Sequence, residues 1–172
     1  MADFLPHPPP PEGSQWAKGP LAYSEYQNVH NSYIDSLENE GVVVDCRLSF
    51  LDVVSAGTLL EVNLKGRVVT RSGGLVVVNK WLEVVSESPV TVQTREYDYH
   101  ARFVPERRRK GQDVFRYDNC HGGTDTLHRH RFDTRGRPCG QDTIALEDMP
   151  SLTEVIRHAE FYAAYLRDFR GD

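Results

Sequence analysis

The sequence predicts an α+β fold: a curved antiparallel β-sheet of about six strands, with an N-terminal helix and a C-terminal helix packed on it. Three features point there. Residues 24–39 repeat apolar side chains at three- and four-residue steps. Residues 42–132 alternate between strand-like runs and turn signals. Residues 151–169 carry one continuous apolar stripe.

Residues 1–20 hold Pro6, Pro8, Pro9, Pro10, Pro11 and Pro20. Proline removes a backbone donor and fixes φ, so this stretch is expected to be an extended, flexible tail. Residues 21–172 then form a single domain, a size that suits one core. In the first helix Tyr26, Val29, Tyr33, Ile34 and Leu37 share a face. Ser24 or the turn before it is placed to cap this helix, and Gly41 to end it. Residues 42–50 are β-branched and apolar, and Ser55-Ala56-Gly57 marks a turn. Over residues 58–70, Leu60, Val62 and Leu64 alternate with Glu61, Asn63 and Lys65. Arg71-Ser72-Gly73-Gly74 is a hairpin turn. Strands follow at 75–85 and 90–104, the latter with Tyr97 and Tyr99 on one face and Asp98 and His100 on the other. Arg107-Arg108-Arg109-Lys110-Gly111 is a charged hairpin tip. Short strands are expected at 113–117 and 126–132, with a loop from Arg135-Gly136 to Pro150. Ser151 and Glu154 form a capping box for the last helix.

Composition narrows the classes. No apolar run approaches the roughly 20 residues of a membrane span. The N-terminus lacks the cationic start and apolar stretch of a secretory signal. Three cysteines suit a reducing compartment better than a disulfide framework, which makes a cytoplasmic protein the expectation. The formal net charge is −5, yet residues 95–139 hold 11 Lys and Arg against 7 Asp and Glu, and four of the seven histidines. A local basic surface on an acidic protein attracts anions such as a phosphate backbone.

Polar, titratable and glycine residues crowd the segment 115–133, where an ordinary sheet would carry core residues and lysines. Such a local conflict is what functional sites produce. Phe115-Arg116-Tyr117-Asp118-Asn119-Cys120-His121 ends a strand, and Gly122-Gly123 permits an irregular loop. On a strand, His128 and His130 face one way and Arg129 and Arg131 the other. A pair of imidazoles suits acid–base work near neutral pH: one takes a proton from a nucleophile, the other gives one to a leaving group. Phosphodiester cleavage of RNA needs this together with a cation, which Arg116, Arg129 or Arg131 supplies, while Asp118 orients an imidazole. His121 and Asn119 complete the candidate set. The same histidines also suit a divalent transition metal, with His121, His128 and His130, or Asp133, as ligands. The string Gly123-Thr124-Asp125-Thr126-Leu127-His128-Arg129-His130 resembles the first half of a cupin motif, without the glutamate expected a few residues later.

The order of motifs also resembles a family. Gly57-Thr58-Leu59-Leu60-Glu61-Val62 is followed by Trp81-Leu82-Glu83, Tyr97-Asp98-Tyr99-His100, Phe115-Arg116-Tyr117-Asp118-Asn119 and His128-Arg129-His130. In this it is similar to the TumE-like toxins, the toxin half of a two-gene toxin–antitoxin pair. The likeness covers roughly residues 45–166, and the Arg-Tyr-Asp-Asn and His-x-His combination carries it. It implies a growth-inhibiting protein held in check by a cognate antitoxin.

Three functional readings follow. The first is a toxin-like ribonuclease that needs no metal, using His128, His130 and His121 with Asp118, Asn119 and Arg116. The second is a cupin-like metalloprotein. The third is a non-catalytic RNA- or protein-binding module that uses Arg107, Arg108, Arg109, Lys110, Arg129 and Arg131, with the Pro-rich tail. Cys46, Trp81 and Tyr162 read as packing residues.

Overall fold

Period-two alternation decides which side of a strand each residue faces, and here it builds one long sheet with an apolar side and a polar side. The computed structural model describes residue 5 and residues 20–105, 111–119, 127–145 and 148–170. In chain order the elements are β1 (Leu21–Ala22), α1 (Tyr23–Asn39), β2 (Val43–Ser55), β3 (Thr58–Thr70), β4 (Gly74–Glu87), β5 (Val90–Phe103), β6 (Gln112–Asp118), β7 (His128–Phe132), β8 (Pro138–Thr143) and α2 (Leu152–Arg170). Strands β2 to β8 lie side by side in sequence order, and the short β1 pairs with β5. Every pairing is antiparallel.

The α+β class is as expected, but among the described residues the sheet has eight strands rather than about six. One addition is β1. The other is β8, in a segment read as a loop. Pro138-Cys139-Gly140-Gln141-Asp142-Thr143 has no apolar alternation, because an edge strand with little burial on either face needs none. Its pairing is set instead by the Asp133 turn, whose carboxylate accepts hydrogen bonds from the backbone N–H of Arg135 and Arg137, both at 2.9 Å.

On the apolar side Val62, Leu64, Val68, Val76, Val78, Tyr97, Tyr99, Ala101, Phe103, Phe115 and Tyr117 are buried. Helix α2 covers this side with Leu152, Val155, Ile156, Ala159, Tyr162, Ala163 and Leu166. Each large side chain so buried contributes about 1.5–3 kcal/mol. The capping box starts α2 as the sequence predicts: Glu154 accepts from the Ser151 N–H, and Ser151 Oγ accepts from the Glu154 N–H. Gly74 lets the helix approach closely, since a Cβ there would lie 2.8 Å from the Ala159 carbonyl oxygen.

Helix α1 adds Ile34 and Leu37 to the main core, and Tyr26 to a smaller cluster with Val62, Leu82 and Val92. Among the described residues no side chain caps its start, so Ser24 does not serve as expected. Gly41, at φ +69°, does end it. The Gly41 N–H reaches the Glu38 carbonyl and the Val42 N–H reaches Leu37, the paired bonds of a Schellman turn. Of the Pro-rich tail, Leu5 and Pro20 are described, and Leu5 packs against the main core. Among the described residues no helix is long and apolar enough to cross a membrane.

Candidate functional site

The polar side of the sheet, opposite α2, carries the candidate residues in two cross-strand rows. Register places Lys65, Asn79, Asp98, Asp118, His128 and Thr143 in one row across β3 to β8. The neighbouring row runs Arg67, Val77, His100, Arg116, His130 and Gln141. Directly opposed side chains on adjacent strands sit about 5 Å apart, so β6 and β7 bring Arg116, Asp118, His128 and His130 together.

Asp118 is the centre of this group. It is the last residue of β6 and its side chain is 0 % exposed. Its Oδ2 lies 3.0 Å from Arg116 Nε and 3.0 Å from His130 Nε2, and its Oδ1 lies 3.9 Å from His128 Nε2. Yet neither oxygen receives an in-line hydrogen bond from a described residue. These are charge contacts at hydrogen-bond distance without hydrogen-bond alignment. A carboxylate held like this, away from water, is costly to bury and marks a site where something other than stability set the geometry.

The two imidazoles stay reachable from solvent, with side-chain exposures of 14 % for His128 and 28 % for His130. Their rings meet edge to face, with centroids 5.9 Å apart. Arg116 Nε is shared between Asp118 and Asp98, the second contact being 3.1 Å. The row extends to His100, whose Nε2 lies 3.0 Å from Asp113 Oδ1, an oxygen also contacted by Arg102 Nε at 3.1 Å. Asp98, His100 and Asp113 therefore belong to the polar cluster, although the sequence reading left them out. The signal was present in the alternation of Tyr97-Asp98-Tyr99-His100, but a polar residue every second position is also how an ordinary solvated face looks.

The chain matches no family model, no curated protein and no solved structure.

Three of the candidates have other surroundings than expected. Arg129 and Arg131 lie on the apolar side, as the strand reading places them, and so cannot join the histidines around one phosphate. Arg129 Nη2 donates to the Tyr162 hydroxyl at 2.9 Å, and its guanidinium lies 5.9 Å from the Tyr117 ring centre. Burial pushes the hydroxyls of Tyr117 and Tyr162 up, with the Arg129 charge opposing it in both. Arg129 thus tethers β7 beneath α2. Arg131 Nε pairs with Asp142 Oδ2 at 2.9 Å, joining β7 to β8. The cation beside the histidines is Arg116, directly opposite His130. Asn119 serves the backbone: its Oδ1 accepts from the Tyr97 N–H at 2.8 Å, and its Nδ2 donates to the Arg95 carbonyl at 3.0 Å. It extends the pairing of β5 beyond the end of β6 and holds Asp118 in place.

His121, Arg107, Arg108, Arg109 and Lys110 lie outside the described residues, as do Gly123, Thr124, Asp125 and Thr126 of the cupin-like string. Among the described residues, no group of three His, Cys, Asp or Glu side chains is arranged to hold a metal ion. The expected packing roles of Tyr162 and Cys46 fit their positions, Tyr162 inside the core and Cys46 half-buried against it. Trp81 sits on the polar side, opposite Asn63 and Glu96.

Proposed function

We propose that the chain is a toxin-like ribonuclease that works without a bound metal and is held in check by a cognate antitoxin protein. The observation that carries the chemistry is the buried Asp118 carboxylate, with His130 and Arg116 against one oxygen and His128 near the other. The toxin role and the antitoxin partner rest on the TumE-like order of motifs.

In this reading one imidazole accepts the proton of the ribose 2′-hydroxyl as that oxygen attacks the adjoining phosphorus. The bond from phosphorus to the 5′-oxygen breaks, and the other imidazole, protonated at the start, gives its proton to the departing oxygen. A 2′,3′-cyclic phosphate and a 5′-hydroxyl result. The Asp118 carboxylate, 3.0 Å from His130 Nε2, draws that nitrogen toward it by charge, which leaves Nδ1 to exchange a proton with substrate. Arg116 supplies positive charge to the crowded phosphoryl oxygens. Such acid–base groups contribute typically about 10²–10⁴-fold each.

Induced expression in a bacterial host tests the reading. Wild type is expected to arrest growth, and His128→Ala and His130→Ala to relieve the arrest while accumulating as folded protein. Arrest by both variants at the wild-type level removes the acid–base role.

A further inference from the structure

A second feature on the polar side has no part in the proton transfers. A recess of about 270 Å³ is lined by Glu61, Asn63, Lys65, Asn79, Trp81 and Glu96 beside Tyr97. Its Lys65–Asn79 edge belongs to the same cross-strand row as the acid–base group: Asn79 is directly opposite Asp98, which is opposite Asp118. At about 4.8 Å per strand, Asn79 is roughly 10 Å from Asp118. That is a distance one nucleotide bridges.

The wall chemistry is unusual for a solvated sheet face. The indole Nε1–H of Trp81 is shielded from solvent and has no hydrogen-bond partner among the described residues. A buried donor without a partner is rare in a native structure. Arg95 covers the indole, its guanidinium carbon 5.1 Å from the ring centre, and also reaches Glu83 at 3.9 Å, so the indole is held in place. Opposite Trp81 stands Glu96, which makes no ion pair or side-chain hydrogen bond among the described residues. Glu61 is engaged by the Asn63 amide at 3.3 Å. The recess thus combines a carboxylate acceptor, two amides, an aromatic edge and, at its rim, the ammonium of Lys65.

We infer that this recess binds the base of the nucleotide adjoining the cleaved phosphate, and that it favours guanine. A carboxylate selects a base edge with adjacent N–H donors, and guanine alone offers two on its pairing edge, beside a carbonyl that can accept from an N–H. Lys65 faces the sugar and phosphate. The inference rests on the ribonuclease reading for its meaning, because it supplies that enzyme with a sequence preference.

Fluorescence of the full-length protein tests it. The chain has two tryptophans, so Trp16→Phe leaves Trp81 as the reporter. Titration with GMP is expected to change Trp81 emission saturably, with AMP, CMP and UMP binding at least tenfold more weakly. Glu96→Gln is expected to weaken GMP at least tenfold and to erase the preference, with an unchanged urea midpoint showing that the fold is intact. No response to GMP, equal affinity for all four nucleotides, or wild-type GMP binding by Glu96→Gln overturns the inference. RNA cleavage by the wild type and by His130→Ala is measured beside the titration, which separates the two proposals. Selective GMP binding in a protein that never cleaves RNA removes the ribonuclease reading alone, whereas histidine-dependent cleavage without selective GMP binding removes the recess alone.

Discussion

His130 Nε2 lies 3.0 Å from Oδ2 of Asp118, a carboxylate with no solvent exposure and no in-line hydrogen bond from a described residue. If this contact orients the imidazole, Asp118→Asn removes the charge and keeps the shape. RNA cleavage should then fall by about 10²-fold, the lower range for a positioned acid–base group. The check is a cleavage rate at saturating RNA beside a urea titration. Loss of activity with the fold retained supports orientation, and unaltered cleavage contradicts it.

Arg129 separates two roles that look alike in sequence. It donates to the Tyr162 hydroxyl from the apolar side, so Arg129→Ala leaves that contact unmade under α2. A loss of about 1–3 kcal/mol in stability is expected, with the salt dependence of RNA binding unchanged. Urea unfolding and filter binding across a salt series measure the two quantities. A shallower salt slope without loss of stability would make Arg129 a phosphate contact after all.

The Asn119 side chain satisfies the Tyr97 N–H and the Arg95 carbonyl. Asn119→Ala should cost about 1–3 kcal/mol, because a buried backbone donor is left without a partner. Denaturant titration checks this. A change below about 0.5 kcal/mol would mean that water replaces the amide.

His30 lies on the buried face of α1, and its ring centre is 5.2 Å from that of Phe50. Burial, helped by the Lys80 charge, pushes its pKa down from 6.5 to about 4. The unfolded chain then binds a proton that the folded chain refuses, so stability is full above pH 6.5 and falls as the pH drops from 6.5 toward 4. Over that window the loss is on the order of 3 kcal/mol. His30→Gln should flatten this limb in urea titrations at pH 7 and pH 5. An equally steep limb in the variant would place the acid sensitivity elsewhere.

Much of this was legible in the sequence where burial imposes a period. The apolar stripe of α2, the turn at Gly41 and the alternation that parts His128 and His130 from Arg129 and Arg131 all follow from which face is covered. What escaped is what burial does not mark. Strand β8 has little burial on either face, so its pairing depends on the Asp133 turn and left no apolar pattern. Asp98 and His100 alternate with tyrosines as any solvated face does, and only the register with Asp118 and Arg116 shows that they join the cluster. Asn119 looked like a site residue because amides serve turns, sites and backbone alike, and its partners on β5 are more than twenty positions away in the chain.

The most direct measurement is RNA cleavage by untagged protein in excess EDTA, comparing wild type with His128→Ala and His130→Ala. Wild type is expected to cleave, leaving 2′,3′-cyclic phosphate ends. Each variant should lose at least about 10²-fold in rate while keeping its urea midpoint. Cleavage that EDTA abolishes, or that both variants retain at the wild-type rate, would contradict a metal-independent histidine pair.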